Sequence, residues 1–241
     1  MEAIVIKSIS KSVVSVKTNG KYWNGVIEFS ADGLNWQEWK GTKIVSTIIY
    51  MRGTGNTILT SRGCNENWKF EGENLVVKGN LETLLDYKEV EKGNHPIMGD
   101  WCFYGMFYGC TDLISAPDLL ADSVSEFACS GMFAGCTDLM DAPKLAATNL
   151  SDWCYVDMFD GCTSLITAPS LPATELACGC YSNMFYHCTY LLDAPELPAT
   201  KLMPECYSNM FDGCMCLSVA PKLPNVKLKG CCNHMFRGCN M

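Results

Sequence analysis

A chain of 241 residues has the length of two modest domains, and its 48% apolar composition excludes a disordered polymer. The formal charge of -8 is uneven: residues 1–100 carry 12 basic and 12 acidic side chains, residues 101–241 carry 6 and 14. The acidic C-terminal half repels phosphate, which argues against a nucleic-acid partner.

The opening residues, Met1 to Lys7, start acidic and lose their apolar run at Lys7, so no secretory leader is expected. No stretch reaches the length of a membrane span. Residues 1–78 predict a small all-β, sandwich-like domain. Ile4–Ile9, Val13–Lys17, Val26–Ser30, Ile44–Met51, Trp68–Phe70 and Leu75–Val77 are the candidate strands, rich in β-branched residues and separated by turn signals. Asn19-Gly20 predicts a hairpin and Asp32-Gly33 a turn. Gly53-Thr54-Gly55-Asn56 lacks the lysine of a phosphate loop and reads as a turn. Trp23, Trp36, Trp39 and Trp68 form either a sugar-stacking platform or, as we favour, core packing. Residues 79–100 read as a transition, with Leu81, Leu84 and Leu85 at helical spacing to cap the N-terminal end of the C-terminal half.

From residue 101 the chain repeats. Met-Phe occurs at 106, 132, 158, 184, 210 and 235, steps of 26, 26, 26, 26 and 25 residues. A fixed period of this size predicts a solenoid whose units bury apolar faces against their neighbours. Within a unit, Cys206 to Phe211 places apolar groups at i, i+1, i+4 and i+5, which predicts a short helix, with Gly213 as its stop. Leu165–Ala168 predicts a strand paired in parallel with Leu139–Ala142 and Leu191–Ala194, ended by Pro169 and its equivalents. The predicted fold class is therefore an α/β repeat solenoid of leucine-rich-repeat type, six units of about 26 residues over 101–241, preceded by the small β domain.

Cysteines follow the repeat: one column is Cys110, Cys136, Cys162, Cys188, Cys214 and Cys239, and another includes Cys102, Cys154, Cys180, Cys206 and Cys231. Columns locked to a period suit buried reduced thiols better than disulfides. Cys64 lies outside them, and no zinc-knuckle spacing occurs. We expect no metal, no cofactor and no catalytic constellation. Asp112 with Asp138, Asp141 with Asp193, and Asp160 with Asp212 share columns that could hold calcium, although a solvated face is the commoner outcome. The variable columns predict the recognition surface: Tyr108, Tyr155, Asp160, Tyr181, Tyr186, Tyr207 and Asp212, residue types suited to polar or glycan partners.

The unit Leu-x-x-Ala-Pro-x-Leu-Pro-Ala-Thr-x-Leu, continued by Cys-Tyr-x-x-Met-Phe-x-Gly-Cys-Thr, resembles the BspA-like leucine-rich repeats of Bacteroides-type gut bacteria and their phages. That resemblance covers residues 101–241 and implies adhesion or receptor recognition without shared catalytic residues. With no leader expected, it implies a phage virion component (tail, fibre or capsid decoration), or alternatively a bacterial cell-surface adhesin. The ligand it implies is a host-surface protein or glycan. The final unit, ending at Met241, lacks a polar cap, which predicts homo- or hetero-oligomeric contact with other virion or surface proteins there.

Overall fold

The computed structural model describes residues 3–62, 68–223 and 230–241; Cys64 lies outside them. The N-terminal strands are β1 Ile4–Ser8, β2 Val14–Thr18, β3 Val26–Ser30, β4 Gln37–Glu38, β5 Ile44–Ser46, β6 Ile48–Thr54, β7 Trp68–Glu71 and β8 Leu75–Lys78. Helix α1 spans Thr83–Glu91, and the repeats contribute β9 Leu113–Ser115, β10 Ser123–Val124 and β11 Asn149–Leu150. One sheet has the order β4-β3-β6-β1-β8-β9, a second β5-β2-β7, and a third pairs β10 with β11.

Alternation decides which faces meet. In β1, Ile4 and Ile6 are buried and Lys7 is exposed; in β7, Trp68 and Phe70 are buried and Lys69 and Glu71 are exposed. Between the sheets, Trp23 stacks on Trp39 at 5.1 Å and Trp68 packs against both at 5.9 and 4.9 Å. Their indole nitrogens stay satisfied where needed: Trp39 donates to the Thr42 carbonyl and Trp68 to that of Leu59.

Two local expectations change. Asn19-Gly20 joins no paired strands, because β2 pairs with β5 and β7 while β3 pairs with β6 and β4. The run Ile44–Met51 is split at Thr47, with β5 in the small sheet and β6 in the large one, so the chain turns a corner there. After β6, Gly53 lets α1 approach: a Cβ on it would sit 1.7 Å from the Leu84 carbonyl oxygen. Leu81, Leu84 and Leu85 are fully buried, and α1 is kinked at Asp86 (φ -152, ψ 98).

The α/β leucine-rich-repeat solenoid expected over 101–241 does not form. The fold is mainly sheet, in several small sheets, none of them closed. Among the described residues its single helix, α1, precedes the repeats. The Met-Phe segments are chains of turns. Phe127 (φ 52), Gly131 (φ 57) and Gly135 (φ 74) are left-handed at intervals of four, as are Trp153, Asp157 and Gly161, and Gly179, Asn183 and His187. A left-handed residue every fourth position breaks the i to i-4 ladder before one helical turn closes.

The backbone groups freed in this way find two kinds of partner. Alternate N–H groups close turns within a segment: Met132 donates to Cys129 O, Ala134 to Gly131 O and Cys136 to Phe133 O. The intervening ones reach the next repeat: Cys129 donates to Cys154 O, Gly131 to Val156 O, Phe133 to Met158 O and Gly135 to Asp160 O, at 2.7–2.9 Å. The predicted parallel strands shrink to single bridges, Ser115 with Asp141, Asp141 with Thr167 and Thr167 with Asp193.

Two of every four residues in these segments point inward. Phe107, Phe133, Phe159, Phe185, Phe211 and Phe236 stack in one file at 5.3–5.7 Å, and Phe70 of the sandwich extends it by packing on Phe107 at 4.5 Å. Each fully buried Phe contributes roughly 1.5–3 kcal/mol of hydrophobic stabilisation. Beside that file the thiols of Cys136, Cys162, Cys188 and Cys214 donate to the carbonyls of Phe107, Phe133, Phe159 and Phe185, each at 3.1 Å. The 15 described cysteines are all free. β9 adds to the edge of the large sheet by pairing in parallel with β8, and the buried apolar side chains form one cluster.

Candidate functional site

The left-handed residues and their neighbours form the outward surface of the turn segments, because the residues between them are spent on the core. Three rows result. The first begins with Trp101, Phe127 and Trp153, half-buried, with rings nearly parallel at centroid spacings of 4.2 and 6.3 Å. Tyr104 meets Trp101 edge-on at 5.2 Å, and the Arg62 guanidinium lies 4.9 Å from the Trp101 ring. All three aromatics are left-handed (φ 61, 52 and 56), a conformation costly for bulky side chains. Because they face one another, they offer ring edges to solvent. The row ends at Gly179, against which the Trp153 indole rests.

In the second row Asp157, Asn183 and Asn209 are half-buried and linked across three repeats. Asn183 Nδ2 donates to Asp157 Oδ1 at 2.8 Å, and Asn209 Nδ2 donates to Asn183 Oδ1 at 2.9 Å. Asn and Asp are the side-chain-bearing types that best tolerate left-handed backbone, so the fold itself selects this polar file. Burial raises the Asp157 carboxyl, with the Asn183 hydrogen bond opposing the shift.

The third row contains several predicted site residues. Tyr108 is 45% exposed. Asp160 is half-buried, its pKa raised by burial and then by the neighbouring Asp157. Tyr186 is half-buried with its ring 4.0 Å from that of His187. Asp212 is only 4% exposed and accepts from Arg237 Nε at 2.8 Å, so its carboxylate is committed to an ion pair.

Tyr155, Tyr181 and Tyr207 do not belong to this surface. They are 1–2% exposed and stack on one another at 6.0 and 6.1 Å, following Cys154, Cys180 and Cys206 into the core. The predicted recognition surface is corrected accordingly. Of the four sandwich tryptophans, Trp23, Trp39 and Trp68 are core, the reading favoured above, and the Trp36 ring lies 3.9 Å under the Arg52 guanidinium, which also contacts Tyr87.

Sequence reasoning missed Trp101, Phe127, Trp153, Asp157, Asn183 and Asn209. The signal for the second row was present, as Gly, Asp, Asn or His at every equivalent position from Gly105 to His234. The aromatic row is degenerate, with Gly179, Glu205 and Gly230 in later repeats, and gives no such pattern.

Chemically the surface offers half-buried aromatic rings, carboxylates and primary amides on successive repeats. It suits a ligand bearing many hydroxyl or carbonyl groups. No family model matches the chain, and searches of curated proteins and of solved structures return no match either.

Proposed function

We propose that this chain is a non-enzymatic recognition protein whose turn surface takes a hydroxyl-rich ligand, a bacterial surface polysaccharide. The linked file Asp157–Asn183–Asn209 carries this reading. Its amides and carboxylate are held in fixed geometry before a ligand arrives, so little side-chain entropy is lost on binding. The neighbouring Trp153 and Tyr186 supply apolar edge and a polar tip within the same surface. The repeat's resemblance supports carriage on a phage particle, with a bacterial cell surface as the other setting.

The test is binding of labelled full-length protein to immobilised capsular polysaccharides and to intact gut bacteria. Saturable binding that Trp153→Ala and Asn183→Ala each weaken about tenfold, the worth of about one ligand hydrogen bond, is expected. Binding that survives both substitutions places recognition elsewhere on the molecule. A panel with no binding removes the recognition reading.

A further inference from the structure

The last repeat breaks a column that the earlier ones keep. Tyr155, Tyr181 and Tyr207 follow Cys154, Cys180 and Cys206, but Cys231 is followed by Cys232. A thiol therefore stands at the end of the buried tyrosine file, and the sulfurs of Cys231 and Cys232 lie 2.9 Å apart. Among the described residues this is the one sulfur–sulfur hydrogen bond. The thiols of Cys136, Cys162, Cys188 and Cys214 are spent on carbonyls instead. Cys231 is 2% exposed and Cys232 is half-buried, so a reagent in solvent reaches the pair through Cys232.

Adjacency decides what such a pair can form. A mixed disulfide made at one sulfur stands within reach of the other, so release of the second group is intramolecular. The ring that closes is strained, because adjacent Cα atoms are about 3.8 Å apart, below the roughly 4.4–6.8 Å that disulfides usually span. Strained disulfides are readily reduced, which suits exchange better than a permanent cross-link. Burial, and next the contact with Cys231, raise the Cys232 thiol. Its thiolate is scarce at neutral pH, so exchange quickens as pH rises.

We propose that Cys231 and Cys232 are a reversible exchange site for low-molecular-weight disulfides such as glutathione disulfide. The Cys232 thiolate, its proton lost to solvent, attacks one sulfur of the reagent. The reagent's S–S bond breaks, and one glutathione leaves as a thiolate with the electron pair. The Cys231 thiol gives its proton to solvent and attacks the Cys232 sulfur, expelling the second glutathione thiolate. Each departing thiolate takes up a proton from solvent. The two protein thiols have then lost two electrons and two protons, the reagent has gained them, and a bond joins Cys231 to Cys232.

The test treats reduced full-length protein with glutathione disulfide under native conditions, quenches with acid, and maps the digest by mass spectrometry. The segment holding both cysteines is expected to lose two hydrogens and retain no glutathione, and dithiothreitol to restore it. Exposed Cys216 is the internal control, since a lone accessible thiol keeps its mixed disulfide. In Cys231→Ser, Cys232 is expected to keep one glutathione for the same reason. In Cys232→Ser, a change at a half-buried position, Cys231 is expected to stay unmodified because solvent does not reach it. Two free thiols at 231 and 232 while Cys216 is modified overturn the proposal. So does glutathione that stays on Cys232 in the wild-type chain, or a cross-link from either cysteine to Cys206 in place of one between them.

Discussion

Position 179 illustrates how one missing side chain sets a neighbour's place. A Cβ on Gly179 would lie 2.2 Å from Cε3 and 2.3 Å from Cζ3 of Trp153, and the backbone is left-handed (φ +58). Alanine there carries two costs: about 1–2 kcal/mol for the left-handed backbone and about 1–3 kcal/mol for displacing a packed ring. Gly179→Ala is expected to lower stability by about 2–5 kcal/mol in urea denaturation. In a Trp153→Ala background only the backbone cost remains, so the double-mutant cycle isolates the contact. Equal losses in the two backgrounds would show that the indole does not occupy the space over Gly179. The same ring sits at the end of the candidate surface, so a shifted Trp153 is also expected to weaken polysaccharide binding.

At the scale of the element, the Met-Phe segment separates two structures that share a hydrophobic pattern. Apolar groups at i, i+1, i+4 and i+5 fit a helix of 3.6 residues per turn and equally fit a turn chain that repeats every four. Over the six residues from Cys206 to Phe211 the two periods have hardly diverged. What decides between them is the residue between the apolar pairs: Gly131 and Gly135, Asn183 and His187, Asn209 and Gly213, all left-handed. Gly131 provides a clean test, since a Cβ there would meet only Ala134, at 4.0 Å. In a helix interior, Gly131→Ala would stabilise by about 1 kcal/mol. In this turn chain it is expected to destabilise by about 1–2 kcal/mol, and the sign of the change in the urea midpoint discriminates the two.

The same ambiguity explains what was legible in the sequence. The sandwich strands were, because β-branched alternation and turn residues mark β1, β3 and β8 nearly to the residue. The repeat length and its core columns were, because Phe133, Phe159 and Phe185 recur at a fixed step whatever the backbone does. The sheet partner of β2 was not, since pairing depends on which strands share the core rather than on the nearest turn signal. Tyr155, Tyr181 and Tyr207 were misplaced because, in a four-residue turn repeat, both residues after the left-handed one point inward. The aromatic row escaped notice because Trp and Phe are unusual in left-handed backbone, so nothing in residue type announced them.

For the whole molecule, the continuous core makes its thiols a collective feature. Burial lifts Cys110, Cys206 and Cys214 from an ordinary 9.0 to about 12, and raises Cys136, Cys162 and Cys188 well above 9.0. Each folded value exceeds its unfolded value, so the stability linked to these groups is whole below about pH 9. It is lost as pH rises toward about 12, where the unfolded chain releases protons that the folded chain retains. Between those limits each such thiol is expected to remove about 1.4 kcal/mol per pH unit. Urea midpoints should therefore be flat from about pH 7 to about 8 and fall steeply above about 9. Lysines and tyrosines titrate in the same range, so the attribution needs a paired variant. Cys162→Ala/Cys188→Ala removes two buried thiols from one file and is expected to flatten the alkaline slope by about 2.7 kcal/mol per pH unit. It should do so even if the variant is less stable at neutral pH, because the slope counts protons and not contacts. An unchanged slope would mean that these thiols ionise as readily in the folded chain as in the unfolded one. The file from Phe107 to Phe236 would then be open to water, and the continuous dry core would be wrong.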